Sequence, residues 1–311
     1  MNFDYRNSYR YPGKGNWFDF WNCRVVIPAE KKWFFVMPYV ISTDIGLRKF
    51  FYFCSSFSDV ECFEIFDDLK MSQDNANIEW QDNLFSSDLI SISEKDKSWN
   101  FSIDSVCSDG TEKGSDLRAF NVREKLHLRS LPFIHRVPTM KGFANGSIVF
   151  SGEKFDLKDA IVYQAKNHGP DFPDSWNWLH ANIIPQFTNS AFEIGLMPTA
   201  KGDEGIFRWA NKEKTNVYAT FLGHDIYFEN KGDSFDFFVR DQNKKIIIEG
   251  QAKHGSKRDI VFPSPEVSDQ VFSNPESFDG YVSGNYLGEF FESNFPALGS
   301  GLKSHHNNWL P

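Results

Sequence analysis

Helical periodicity is scarce in this 311-residue chain. Few windows repeat apolar residues at three- and four-residue spacing, so an all-β chain is the default reading. A long Lys/Arg cluster is also missing, and the formal charge is −9. Both count against a nucleic-acid partner, which needs a basic footprint. The N-terminus has no apolar signal core, and no window approaches the ~20 apolar residues of a transmembrane helix. These absences predict a soluble, cytoplasmic protein with no transmembrane segment. Cysteine is sparse: Cys23, Cys54, Cys62 and Cys107 include no CxxC pair and no Cys/His metal spacing. They read as thiols in or near a core, although spacing alone leaves a disulfide between two of them open. A nucleophile elbow, a Ser/His/Asp order and a Gly-rich phosphate loop are lacking, Gly13-Lys14-Gly15 being too short for the last. The adjacent His305 and His306 read as a surface tail, so neither a metal nor a cofactor is expected.

Large aromatic rings are abundant. Residues of the set AVILMFWYC make up 41% of the chain, aromatic residues 17%, and there are 33 phenylalanines, so rings deliver much of the apolar content. They can line a cavity as well as fill a core. Trp99-Asn100-Phe101-Ser102-Ile103 and Phe192-Glu193-Ile194-Gly195-Leu196 alternate with period two. Short β-rich runs such as 24–27, 33–36, 51–53, 217–221, 235–239 and 245–249 are separated by Gly, Asn, Asp and Pro turns. Many short strands of this kind predict a sandwich or barrel. Ser108 to Asp116 reads as a loop, and Pro132 to Pro138 as a stiff crossing between two bodies of strands. The expected domains are therefore 1–140 and 141–311. The Phe262–Ser268 stretch is loop-like but too brief for a disordered linker.

Chemical handles concentrate in the middle of the chain. Val162 to Asn182 carries Lys166, His168, His180, several carboxamides, Asp171, Asp174, Trp176 and Trp178 around a Gly-Pro and a Phe-Pro turn, a composition suited to a pocket wall. The positions Tyr163, Lys166, Asn167, Gly169, Phe172, Pro173, Trp176, Trp178 and Asn182 match in type and spacing the signature of the tocopherol cyclase-like family, which the chain resembles. Weaker echoes lie at Phe18 to Arg24 and at His135 to Met140 followed by Gly146. The resemblance implies two lipocalin-like antiparallel β-barrel domains packed side by side, with a cavity near their junction. It also implies kinship with carotenoid hydratases and decalin-forming Diels–Alderases, which handle long unsaturated substrates. The chain departs from the pattern at Ala165, where cyclases of the family carry Glu, at His168 in place of Trp and at His180 in place of Gln. Alkene protonation by that Glu does not transfer.

The catalytic candidates are Lys166, Asn167, His168 and His180. Lys166 and Asn167 either polarise a substrate oxygen or serve locally, Lys166 paired with Asp171 or Asp174 and Asn167 bonded to turn backbone. The two imidazoles either transfer a proton or act as structural donors. Period two places Trp176, Trp178, His180 and Asn182 on one strand face, either as core or as a wall for a polyene or cation. Tyr163, Trp21 and His135 are further binding candidates, the alternative for His135 being a bond that ties the crossing to a barrel. Asp19, near a strand start, reads as facing water. Glu193 either faces water or is a carboxyl in an apolar pocket, able to act as an acid. The function expected is a cofactor-independent cyclase or pericyclase acting on a hydrophobic polyene, terpenoid or polyketide of secondary metabolism. The alternative is a lipocalin-like carrier of a lipid or isoprenoid.

Overall fold

The structure, a computed structural model, describes residues 15–43, 46–56, 62–65, 70–71, 78–80, 83–85, 89–94, 97–107, 134–150, 152–199, 202–263 and 271–302. The expected loop at 108–116, residues 264–268 and the His305-His306 pair lie outside them. Two compact units result. The described residues within 15–107 and 134–171 form the first, and those within 172–263 and 271–302 form the second.

The first unit is one antiparallel sheet of twelve strands. Its centre runs Gly46–Ser55, Lys32–Thr43, Trp17–Ile27, Ala160–Gly169, Ile134–Phe150, Lys97–Cys107. The Trp99–Ile103 alternation holds, with Trp99, Phe101 and Ile103 buried and Asn100 and Ser102 exposed. The buried residues of this strand join Trp21, Cys23, Val25, Phe34, Val36, Phe51 and Phe53 in one core cluster. The crossing expected at 132–138 is instead mostly the start of the Ile134–Phe150 strand, which runs unbroken through residue 140. Pro138 is accommodated there because pairing with Ala160–Gly169 slips between Arg136 and Thr139, where a missing N–H costs no ladder bond. Cys23, Cys54 and Cys107 are buried thiols outside any disulfide, and the side chain of Cys62 lies outside the described set.

The second unit has a seven-stranded and a five-stranded antiparallel sheet. In the first of these, Ser175–Ala181 lies between Ala191–Thr199 and Ala297–Leu302, with Val271–Ser277 beyond the latter. One face carries Leu179, Phe192, Ile194, Phe207, Trp209 and Leu298, which share a core with Phe228, Phe235, Phe237, Tyr286 and Phe291 of the other sheet. Trp209 and Tyr286 bridge the two sheets, stacked with centroids 3.7 Å apart. Many of the phenylalanines thus fill the two cores.

Candidate functional site

Ala160–Gly169 is buried at every position. A strand covered on both faces ordinarily reads as a continuous apolar run. This one carries Tyr163, Gln164, Lys166, Asn167 and His168, so its polar groups need protein partners. Register shows which face each takes. Trp21 pairs with Lys166 and Asp19 with His168, on the side of the core residues Cys23 and Val25. Phe20 pairs with Asn167 and Arg24 with Tyr163, on the opposite side. Lys166 and Asn167 therefore point to opposite faces and cannot hold one substrate atom together.

On the core side, Lys166 Nζ lies 3.2 Å from Asp19 Oδ2, with side chains 1% and 0% exposed, and 5.5 Å from the centre of the Trp21 ring. Lys166 pairs with Asp19 of the neighbouring strand, a partner that was not among the expected ones. One expectation is corrected here. Asp19 does not face water, because its strand lies in the middle of the sheet. His168 is buried beside the Trp17 ring, at 5.9 Å.

On the other side, Asn167 Oδ1 lies 2.7 Å from His135 Nδ1. That bond ties Ile134–Phe150 to Ala160–Gly169, the tethering role considered for His135, and Asn167 works inside a strand rather than at a turn. Phe18, Phe20 and Tyr39 stack on this face, and burial, reinforced by Asp171 and Asp19, pushes the Tyr39 hydroxyl well above its usual range. Arg24 is 1% exposed, and burial lowers its guanidinium to about 10 against an opposing contribution from Tyr163.

The second unit holds the other half of the central motif. Trp178 and His180 share a face as the period predicts, their rings stacked at 6.4 Å and 13°, while Trp176 stacks on Phe172 at 6.2 Å. The face is the one turned away from the Leu179 core, and Asn182 lies buried just past the strand end. Glu193, the register partner of His180, is 1% exposed. Its Oε1 accepts from Trp178 Nε1 at 2.9 Å, and its Oε2 accepts from Arg208 Nη1 at 2.8 Å. Glu193 does not face water: its carboxyl accepts from a guanidinium and an indole donor, and so fixes the Trp178 ring.

Sequence reasoning missed Arg208, Glu276 and Asn274. Arg208 stands between Phe207 and Trp209 as Glu193 does between Phe192 and Ile194, so the same alternation was the available signal. Glu276 is 9% exposed and burial pushes its carboxyl up to about 8, and Asn274 on the same strand is 1% exposed. No local pattern marks either one. Among the described residues no group of three or more His, Cys, Asp or Glu side chains is placed to hold a metal ion.

These features define a lipocalin-like all-β protein with buried polar and aromatic groups on sheet faces. Residues 79–217 match the model of the tocopherol cyclase-like family. The chloroplastic tocopherol cyclase of Zea mays is 29% identical over 90 residues, covering 28% of this chain and 18% of the maize protein. The chain thus spans less than a fifth of that relative's length. CghA shares the fold at TM-score 0.61 and 9% identity, covering 97% of this chain and 95% of that one. Kievitone hydratase from Nectria haematococca does so at TM-score 0.54 and 10% identity, covering 98% and 93%.

Proposed function

We propose that this protein is a cyclase- or hydratase-type enzyme that closes a ring in, or adds water to, a hydrophobic unsaturated small molecule. The observation that carries the reading is the family match over 79–217, a span that includes Lys166, Trp178, Glu193 and Arg208. In this span charged and aromatic groups are kept buried, and buried ion pairs are a weak source of stability whose retention calls for another reason. The names of the relatives, a cyclase and a hydratase, point the same way.

In this reading Trp176, Trp178 and His180 form the wall against which an unsaturated chain folds, and the gain is mostly entropic. Within the first unit taken by itself, Lys166, Asn167 and His168 are proposed as polarising groups, Lys166 and Asn167 each on its own face. The closure is either pericyclic or proton-assisted. Both are redox-neutral, so neither consumes an oxidant or a reductant.

The test is incubation of the purified protein with the linear product of the biosynthetic genes next to its own, followed by mass spectrometry and chiral analysis. Ring formation or hydration above the buffer rate, with one stereoisomer in excess, is the expected result. A compound that is bound and returned unchanged would make the protein a carrier.

A further inference from the structure

Glu276 stands on Val271–Ser277 opposite Gly299, and Gly299 in turn stands opposite Trp178. The three positions form one row across adjacent strands, on the face turned away from the second unit's core. The glycine leaves the middle of the row without a side chain. A Cβ on Gly299 would meet Glu276 Cγ at 3.0 Å and Cδ and Oε1 at 3.2 Å, so the carboxyl leans over Gly299 toward the indole strand. Trp178 has a glycine, Gly195, on its other side as well. Two inter-strand spacings, about 10 Å, separate the Glu276 and Trp178 backbones, with no side chain planted between them.

Glu276 is buried, and it forms no hydrogen bond or ion pair among the described residues. Its register partner on the neighbouring strand is Arg258. Burial alone accounts for its upward displacement, so at neutral pH the group carries its proton. An independent observation comes from Asn274, two residues earlier and on the same face. It is 1% exposed, and its Nδ2 has no hydrogen-bond acceptor among the described groups. A buried donor without an acceptor is costly, and a ligand oxygen would remove that cost.

We propose that the Glu276 carboxyl is the proton donor of the ring-closing or hydrating step, and that Asn274 holds a substrate oxygen beside it. The proposal rests on the cyclase or hydratase reading. In the step, the Glu276 O–H bond breaks and its proton joins one carbon of a C=C bond, whose π pair becomes the new C–H bond. The other carbon becomes a cation, which the Trp178 ring, held in place by Glu193, stabilises through its π face. An oxygen of the substrate or of water donates a lone pair to that carbon, forming C–O, and the proton this oxygen loses restores the Glu276 carboxyl. Nothing is oxidised or reduced. This acid occupies a different strand from the Glu missing at Ala165.

The experiment has two arms on the full chain. In the first, infrared spectra of wild type and Glu276→Gln are compared at neutral pH, and the wild type is expected to show a protonated-carboxyl C=O band that the variant lacks. In the second, the linear product of the neighbouring genes is converted in D2O. The product is expected to carry one deuteron on carbon. Glu276→Gln is expected to lower turnover by roughly 100-fold or more, with binding held within about threefold, and Glu276→Asp to recover part of the loss. A difference spectrum without the band, a product free of deuterium, or wild-type turnover in Glu276→Gln overturns the proposal while the cyclase reading stands. A wild type that converts nothing defeats that reading instead, and the infrared arm then decides the protonation of Glu276 by itself.

Discussion

Lys166 and Asp19 are two charges in a place that excludes water, and each makes the other tolerable. Removing either one takes an oppositely charged partner from a buried group, which typically costs about 3–5 kcal/mol. Asp19→Ala is therefore expected to lower the denaturant midpoint sharply, and a folded Lys166→Ala to slow turnover more than it weakens binding. Wild-type turnover in Lys166→Ala would remove the lysine from the mechanism. The same logic applies to Arg208. Arg208→Met leaves the Glu193 carboxylate buried without its cation and releases one constraint on the Trp178 indole, while Glu193→Gln with Arg208→Met recovers much of the lost stability. Chemical denaturation of the two single variants and the double variant measures this coupling. Trp178→Ala is expected to weaken ligand affinity, read by titration calorimetry, and full affinity would take the indole out of the site. At this scale the residue types were legible in the sequence but their partners were not. Asp19 lies 147 positions before Lys166 by their numbers, and only strand register brings them together.

Strands were the most legible level. Period-two alternation placed Trp178 and His180 on one face, and the stacked rings agree. It did not tell which face met a core, because Phe192 to Leu196 is buried on both sides and the polar partner of each apolar residue is not automatically wet. Glycine positions carry a further consequence at this level. Gly146 lies within Ile134–Phe150 at φ +145, and a Cβ there would meet Asn100 O at 2.2 Å and Phe101 Cα at 2.7 Å. Both obstacles are backbone and cannot swing aside. Gly146→Ala is expected to cost about 1–3 kcal/mol, measured as a lower midpoint in urea at unchanged slope. A variant as stable as wild type would show that the neighbouring strand can shift.

For the molecule as a whole, one buried and one half-buried group set opposite pH limbs. Glu276 keeps its proton to about 8 when folded but releases it near 4.5 when unfolded, so the folded state binds more protons in that window and stability falls as pH rises through it. His254, lowered to about 4 mainly by burial and then by Lys257, has the reverse effect. The unfolded chain protonates it near 6.5, and stability falls as pH drops from there toward 4. Thermal melts are expected to show Glu276→Gln gaining most over wild type at the alkaline end, and His254→Gln flattening the acid limb. Parallel curves for the variants and wild type would contradict both assignments.

The sequence by itself determined the all-β class, the strand period and the central motif, since alternation, turn residues and a dense local signature are properties of neighbours along the chain. Tertiary structure decided the rest. It split that motif between two compact units, placed Lys166 with Asp19 and Glu193 with Arg208, and put Glu276 over a bare Gly299. The reason is physical: charge pairing, burial and the space above a glycine are set by strands that meet across a sheet, and the register that joins them is written in no single segment.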